Sequence, residues 1–308
     1  MKTNFTLTTL KDSMKNILKV ATFSALALTL VACGGGGGNA PAPEENGGAD
    51  AAAGAMAVDV AVPDDPVLKA IQDKGELVVS TSADYPPFEF HVLEDGEDKI
   101  VGFDIDIAQA IADTLGVKLT IKDLDFDAVI PSLVSGQADL AIAGLVPTPE
   151  RDEVVDFTDI YYQTTQMVII RKEDQDKYKT PEDFAGKKVG AQTATTQETV
   201  VLEQFPEDVV LSSNSKLNNL IMEVKNKTSE GLVIAGGSGE QYVAVNDDLV
   251  MVDMGIPPED GNAIAAPDGE TGALAFYNEV LKKLMDEGKV EEYIQNNSEL
   301  ASKAAQAQ

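Results

Sequence analysis

The stretch VGFDIDIAQAIADTLG, residues 101–116, decides how the fold is interpreted. Within it, Ile107, Ile111 and Leu115 recur at helical spacing, which predicts an amphipathic helix with one buried face. Gly116 ends that helix, because glycine readily adopts the left-handed conformation of a helix C-cap. A strand is predicted directly afterwards, at residues 117–121. The stretch is therefore predicted to be the helix of an α/β unit, directly followed by a strand.

Further units of the same kind lie on both sides of this stretch. Strands are predicted around it at residues 76–81 and 139–143, and beyond it at residues 188–191, 231–234 and 248–252, with helical patterns between them. Strands that alternate with helices predict an α/β protein with mostly parallel sheets flanked by helices.

The alternation restarts after residue 171, which indicates two lobes rather than one sheet. Lobe 1 is predicted to contain residues 67–168 and 256–308, and lobe 2 residues 169–255. Two crossings would join the lobes, one near residues 169–172 and one near residues 252–255.

The N-terminal region has the composition of a lipoprotein signal. Residues 1–32 are interpreted as a signal peptide, because lysines precede an apolar run at 20–32 that is short for a membrane-spanning helix. Cys33 follows small residues in a way that resembles a bacterial lipobox, and we expect it to be lipidated; a cysteine after a plain signal peptide is the alternative. Residues 33–66 are predicted to form a flexible tether. The protein is therefore expected outside the cytoplasm, lipid-anchored to the cell membrane at the cell surface or on its periplasmic side.

Composition excludes several classes of function. A net charge of −29 argues against nucleic-acid binding, which needs clustered lysine and arginine. With Cys33 as the only cysteine and His91 as the only histidine, no internal disulfide, metal site or thiol chemistry is expected. No cofactor is predicted.

The two arginines of this acidic chain, Arg151 and Arg171, are candidates for special roles. Arg151 lies in GLVPTPER, which follows the strand predicted at residues 139–143, and ligands bind at the carboxyl ends of strands in open α/β sheets. A guanidinium group matches a planar carboxylate in geometry and sign. Arg151 is thus the candidate carboxylate anchor, with an ion pair to a neighbouring acid as the alternative. Arg171 is assigned to the surface.

Several stretches resemble the family 3 extracellular solute-binding proteins, which are polar amino-acid receptors of ABC importers. The similar segments occur in collinear order over residues 67–300, and they are GFDIDI at 102–107, TSADYPPF at 81–88, FDAVIPSL at 126–133, the region 139–162, and VGAQTATTQE at 189–198. The resemblance implies a two-lobed, type II periplasmic-binding-protein-like fold with a two-strand hinge. Such a protein closes on one small solute.

The resemblance also implies a set of ligand-binding residues. Arg151 would bind a carboxylate, Tyr85 and Phe126 would form aromatic walls, and Thr195 and Thr196 would offer the start of a helix to an anion. The alternatives are a core role for Phe126 and simple N-capping by the threonines. The full set is Ser82, Tyr85, Phe126, Ala143, Gly144, Val146, Arg151, Thr195, Thr196 and Gln197.

This chain departs from the family pattern at three positions. Ala235 stands where the family has an acid that binds the ligand's α-ammonium group, so either Glu240 or another acid replaces it, or the ligand lacks a free α-amino group. Ser82 stands where receptors of basic amino acids can have an acid, which disfavours lysine-like ligands. Ala194 stands at a usual glycine.

The expected function is that of an ABC importer's substrate-binding receptor, which captures a small carboxylate-bearing solute, above all a polar amino acid. Its expected partners are this solute and the permease and ATPase of the importer. We expect a monomer that is not an enzyme. The alternatives are a solute-sensing lipoprotein or a dehydratase-like enzyme on the same fold.

Overall fold

The structure is a computed structural model and describes residues 56–306. The predicted signal peptide, Cys33 and most of the predicted tether lie outside the described residues. Among the described helices, none combines the length and apolar character needed to cross a membrane.

Helices and strands alternate along the described chain, as the sequence pattern predicts. The helices are α1 Pro66–Lys74, α2 Phe103–Leu115, α3 Phe126–Val134, α4 Thr196–Gln204, α5 Leu217–Lys225, α6 Gly236–Ala244, α7 Thr271–Asp286 and α8 Lys289–Gln306. The strands are β1 Glu76–Thr81, β2 Asp84–Tyr85, β3 Glu89–Glu94, β4 Glu97–Val101, β5 Lys118–Asp123, β6 Leu140–Ala141, β7 Val155–Phe157, β8 Gln166–Arg171, β9 Lys188–Gln192, β10 Val210–Asn214, β11 Gly231–Ala235, β12 Leu249–Val252 and β13 Ala265–Pro267.

Two five-stranded sheets form the centres of the two lobes. The first has the order β5-β1-β6-β13-β7, and the second has the order β10-β9-β11-β8-β12. In each sheet four of the five strands run in the same direction, and one strand, β13 in the first sheet and β8 in the second, runs antiparallel to them, so the sheets are mostly parallel as predicted. A β-hairpin of β3 and β4, extended by β2, forms a third, smaller sheet.

The predicted amphipathic faces are buried. In α2, Ile107, Ile111 and Leu115 pack into the core of the first lobe together with Leu77 and Val79 of β1. In α5, the apolar residues recur at the same helical spacing and pack against the second sheet, and they are Leu217, Leu220, Ile221 and Val224. Burial of such aliphatic side chains contributes about 1.5–3 kcal/mol each, so these faces set the position of each helix on its sheet.

Gly102 has a position that only glycine fits. Its φ of 142° is rarely adopted by other residues, and a Cβ atom there would lie 1.9 Å from the Phe88 carbonyl oxygen. The start of α2 therefore packs directly on the backbone that precedes β3. This close approach explains the glycine of the GFDIDI stretch.

Part of the predicted tether packs against the first lobe. Met56, Val58, Val60 and Val62 pack against the core of the first lobe, and the Met56 N–H donates to Asp113 Oδ2 at 2.8 Å. A tether that extends to residue 66 is therefore wrong, because the segment from Met56 onward is part of the folded body.

The first predicted crossing is also misplaced. Residues 169–171 lie inside β8, which pairs with β11 and β12 in the second sheet. The connections between the sheets are instead residues 158–165 and 253–264, and they meet at a bridge where the Asn262 N–H donates to the Tyr162 carbonyl at 2.7 Å. The lobe boundary at residues 168 and 169 thus cuts a strand whose hydrophobic residues belong entirely to lobe 2.

Candidate ligand-binding site

The residues predicted to bind a ligand all line one cavity between the two sheets. The cavity contains about 420 Å³ of space that is free of atoms, part of it open to solvent. The structure therefore brings the predicted residues together, and their binding roles stay predictions.

The first lobe supplies two aromatic side chains. Tyr85 follows β1 and packs on Phe88 with ring centroids 4.9 Å apart, and Phe126 begins α3. Gly144 lies between the lobe and the cavity with a φ of 54°, and a Cβ there would come 3.3 Å from the Tyr85 ring. Tyr85 and Phe126 both line the cavity, so neither is only a core residue.

Arg151 extends from the loop after β6 into the cavity. Its Nη1 donates to the Val146 carbonyl at 2.6 Å and its Nη2 to the Ala194 carbonyl of the other lobe at 3.0 Å. The guanidinium carbon lies 5.6 Å from the centroid of the Phe126 ring. Among residues 56–306, no carboxylate forms an ion pair with it within 4.0 Å. Arg151 therefore does not form the surface ion pair that was the alternative interpretation.

Burial changes the electrostatics of Arg151. Desolvation lowers the pKa of its guanidinium, and the nearby charges of Glu259 and Glu150 act in the opposite direction. A buried cation whose bonds go only to neutral carbonyls retains capacity for an anion. The arrangement suits a carboxylate.

The second lobe contributes the first turn of α4. The Thr195 hydroxyl donates to the Gln192 carbonyl at 2.6 Å, and the Thr196 hydroxyl donates to the carboxylate of Glu259. Thr195 occupies the N-cap position without a side-chain capping bond, so simple N-capping does not account for it. Gln197 donates from Nε2 to Gln166 Oε1 at 3.2 Å and to Glu259 Oε1 at 3.3 Å.

Sequence reasoning missed several residues of the cavity wall. They are Asp84, Glu89, Gln192, Glu259 and Asn262. Asp84 and Glu89 lie in or directly after the quoted TSADYPPF stretch, so attention to every acid near that stretch would have found them. Glu259 lies in the second connection, outside all quoted motifs, and no sequence signal identified it.

Asp84 connects the two lobes. Its Oδ2 accepts from the Leu217 N–H at the start of α5 at 3.0 Å, and its Oδ1 accepts from Gln192 Nε2 at 3.2 Å. The Tyr242 hydroxyl donates to the Asp84 carbonyl at 2.8 Å. Burial raises the pKa of Asp84, while these donors favour its ionised form. Together with Arg151, it holds the lobes against each other.

Glu89 and Asp104 form a buried acidic pair below the cavity. Asp104 accepts from the Gly144 N–H and from the Tyr161 hydroxyl, both at 2.8 Å, and burial raises its pKa to about 6. Burial and the adjacent Asp104 raise the pKa of Glu89 well above its usual range. Burial and the neighbouring acid thus both favour the neutral form of Glu89 over the ionised form.

Ala235 ends β11 and immediately precedes α6 in the second lobe. It is 3% exposed and pairs with Gln166 in the antiparallel ladder between β11 and β8. Glu240, the first candidate to replace an acid at this position, lies on the exposed face of α6 and does not line the cavity.

A comparison with known families assigns the chain. The sequence profile of the bacterial extracellular solute-binding proteins, family 3, matches residues 77–297. The chain belongs to this family. The solute-binding protein thus has the fold and the class of function that the quoted motifs imply.

Individual relatives agree with this assignment. The solute-binding protein is 35% identical over 222 residues to the arginine-binding extracellular protein ArtP of Bacillus subtilis (strain 168), with 71% of this chain and 84% of ArtP covered. AbpA, an amino acid ABC transporter substrate-binding protein of Streptococcus pneumoniae Canada MDR_19A solved with L-arginine, matches with a TM-score of 0.72 and 34% identity over 76% of this chain and 98% of AbpA. The ancestral amino acid-binding protein AncCDT-1, a precursor of cyclohexadienyl dehydratase, matches with a TM-score of 0.67 and 31% identity over 74% and 98%. The prediction of a type II binding-protein fold is confirmed.

Proposed function

We propose that this protein is the receptor of an ABC importer and that it captures a cationic amino acid, with L-arginine as the first ligand to test. ArtP is named as arginine-binding and AbpA was crystallised with L-arginine, which supports this class of ligand. The proposed receptor acts as a monomer outside the cytoplasm and delivers its ligand to the permease and ATPase of the importer.

The charges of the cavity support a basic ligand. Three carboxyl groups, Asp84, Glu89 and Glu259, line it together with a single cation, Arg151. A cationic amino acid brings one carboxylate and two positive groups, so each of its charges has a partner of opposite sign. A neutral or acidic ligand would leave buried acids without a counter-charge, which is costly. This balance outweighs the expectation that Ser82 disfavours basic side chains.

Glu89 is the observation that carries the proposal. Its side chain is fully buried, and among the described residues no N–H group or hydroxyl donates to either carboxylate oxygen, so its neighbour is another acid, Asp104. A guanidinium group next to it would supply paired donors and a positive charge, and would thereby favour the ionised form. A buried acid at the cavity wall that no N–H group or hydroxyl of the protein binds is expected where a cationic ligand completes the site.

The remaining residues have roles that follow from their positions. Arg151 binds the α-carboxylate through its guanidinium fork, and Tyr85 and Phe126 enclose the aliphatic part of the ligand. The contacts that Arg151 and Asp84 make with the second lobe form when the lobes close about the two connections. Closure then buries the ligand and presents one compact shape to the permease.

The proposed role of the protein is to bind its ligand without catalysing a reaction on it. His91 does not line the cavity, and its ring nitrogens contact Asp98 at 3.0 Å and Asp123 at 3.2 Å. The described residues therefore offer no imidazole to a bound ligand. Within residues 56–306, no cluster of side chains is suited to hold a metal ion either.

The lipid anchor on Cys33 is part of the proposal and rests on the sequence alone. Metabolic labelling with an alkyne fatty acid should mark the wild-type protein and not Cys33→Ser, and the variant should leave the membrane fraction. Persistent labelling of Cys33→Ser would contradict the anchor.

Calorimetric titration of the purified protein with L-arginine, L-lysine, L-glutamine and L-glutamate tests the ligand class. L-Arginine should bind at least 100-fold more tightly than L-glutamine, which has a similar shape without the charge. Glu89→Gln should narrow that preference to about tenfold or less, because the loss of a charged hydrogen bond costs about 1.5–3 kcal/mol. Equal affinity for L-glutamine and L-arginine, or binding of L-glutamate alone, would overturn the proposal.

A further inference from the structure

An α-amino acid carries its ammonium and carboxylate groups on one carbon atom. The protein groups that bind them must therefore lie a few ångströms apart, and a desolvated ammonium group needs an anionic partner. With Arg151 as the carboxylate partner, the ammonium partner must be an acid of the cavity wall next to Arg151. At the end of β11, Ala235 supplies none.

Among the acids of the cavity wall, Glu259 meets this condition and the other two do not. Arg151 Nη2 donates to the Ala194 carbonyl, and Thr196, two residues further along the same turn, donates to Glu259. The two side chains thus converge on the first turn of α4. Asp84 instead caps the start of α5, and Glu89 lies against Asp104 beneath the aromatic wall.

A chain of side chains links Glu259 to the strand end at Ala235. Glu259 contacts Gln197, which in turn donates to Gln166, and Gln166 is the ladder partner of Ala235. The hydrogen bonds that the described residues make to the Glu259 carboxylate both end on Oε1. Its Oε2 is left to accept from a ligand.

We propose that Glu259, on the connection between the lobes, binds the α-ammonium group of the ligand in place of an acid at position 235. The inference rests on the proposed function, since it concerns the same cavity and an amino-acid ligand. Thr196 and Gln197 hold the carboxylate in position from the second lobe. Ligand binding thereby joins the first lobe through Arg151, the second lobe through Thr196, and the connecting segment through Glu259.

Titration with L-arginine and Nα-acetyl-L-arginine tests this assignment, because acetylation removes the α-ammonium charge and leaves the carboxylate and guanidinium groups. Wild-type protein should prefer L-arginine by at least 100-fold. In Glu259→Gln the affinity for L-arginine should fall about 30-fold, while the affinity for the acetylated ligand should stay unchanged or rise slightly, since a negative charge next to the ligand's carboxylate is gone. The exposed Glu240→Gln is the matched control and should leave both affinities unchanged.

Glu259→Asp keeps the charge and provides a second measurement if the first variant folds poorly. It should weaken binding of L-arginine yet retain most of the preference over the acetylated ligand. A Glu259→Gln protein that keeps the full preference, or loses affinity for both ligands equally, would overturn the assignment while leaving the proposed function intact. Wild-type protein that binds no amino acid at all would overturn both.

Discussion

The two arginines of this chain have opposite environments. Arg171 is buried in lobe 2, where its guanidinium donates to Asp174, to Glu230 and to the carbonyls of Val224 and Ser229. Arg151 is bound only by two neutral carbonyls, one from each lobe. A guanidinium group whose donors are all bound within the protein stabilises the fold. One whose donors are only partly bound within the protein is available to a ligand.

This contrast corrects the assignment of Arg171 to the surface. The side chain is 6% exposed, and its partners come from positions 174 and 230 and from the carbonyls of residues 224 and 229. Those residues converge only when β8, α5 and the turn before β11 pack together. The sequence around Arg171 carries no sign of this convergence.

The largest effect is expected for Arg151→Ala, which removes two charge-assisted bonds to the ligand carboxylate. Affinity for L-arginine should fall about 100- to 1,000-fold, with a smaller change in thermal stability because the Arg151 guanidinium makes only two bonds to neutral carbonyls within the protein. Arg151→Lys keeps the positive charge but lacks the two-pronged guanidinium, so its affinity for L-arginine should lie between those of wild type and Arg151→Ala. Calorimetric titration measures the affinity of all three proteins, and thermal unfolding measures their stability. A loss of affinity smaller than twofold in Arg151→Ala would refute the anchor.

Arg171→Ala should have the converse effect, on stability rather than on binding. It leaves two acids and two buried carbonyls without their donor, and we expect a loss of about 2–4 kcal/mol. Asp174 and Glu230 remain 19% and 25% exposed, which moderates the cost. The melting temperature should drop on the order of 10 °C.

The neighbouring Lys172→Ala, at an exposed position, is the control for Arg171→Ala. Ligand affinity measured well below the melting temperature should stay within a few fold of wild type in both variants. An Arg171→Ala protein of normal stability that fails to bind would reverse the comparison between the two arginines.

Asp104 is the acidic counterpart of Arg171. Hydrogen-bond donors of lobe 1 bind its carboxyl group, just as acids of lobe 2 bind the Arg171 guanidinium. Burial raises the folded-state pKa of Asp104 to about 6, above its ordinary value of 3.8. The folded protein therefore binds this proton more tightly than the unfolded chain. The resulting stabilisation is fully present below about pH 4 and is lost as the pH rises through about 6.

Urea unfolding between pH 4 and pH 7 checks this prediction. The stability difference between wild type and Asp104→Asn should change by about 1–3 kcal/mol across that window, with wild type losing the advantage as pH rises. Asp127→Asn, at an exposed position, is the charge-matched control. A constant difference across the window would show that Asp104 is ionised in the folded state at all these values.

The parts of the site that short motifs specify were predictable. Tyr85, Phe126, Arg151 and Thr196 lie in the quoted stretches that resemble the family's motifs, and they line the cavity. The acids of the cavity wall could not be predicted from the sequence, because the chain contains 52 aspartates and glutamates and no pattern distinguishes the few that line the cavity. Glu259 is more than 100 residues from Arg151 along the chain, and only the packing of the second connection brings it to the cavity.

The lobe boundary was misjudged for a related physical reason. The apolar run of β8 is equally compatible with either sheet, and pairing decides between them. The partners of β8 are β11 and β12, both of which follow it in the sequence. The connection therefore precedes β8, at residues 158–165, where the polar residues between the sheets lie.

The smallest effect is expected at Ala194, whose carbonyl receives the interlobe bond from Arg151. Its φ of 65° is in the left-handed region, which costs a residue with a Cβ about 1–2 kcal/mol. Ala194→Gly removes this strain but adds chain entropy to the unfolded state, so a net gain in folding stability of about 0.5 kcal/mol is expected, or about 1–2 °C in melting temperature.

Ala185→Gly is the control. Position 185 is exposed with a φ of −50° and lacks the strain, so this substitution should instead destabilise the protein by about 0.5–1 kcal/mol. Opposite signs for these two substitutions would show that the turn at Ala194 is strained in the folded protein. Equal losses would show that the interlobe carbonyl is presented to Arg151 without strain.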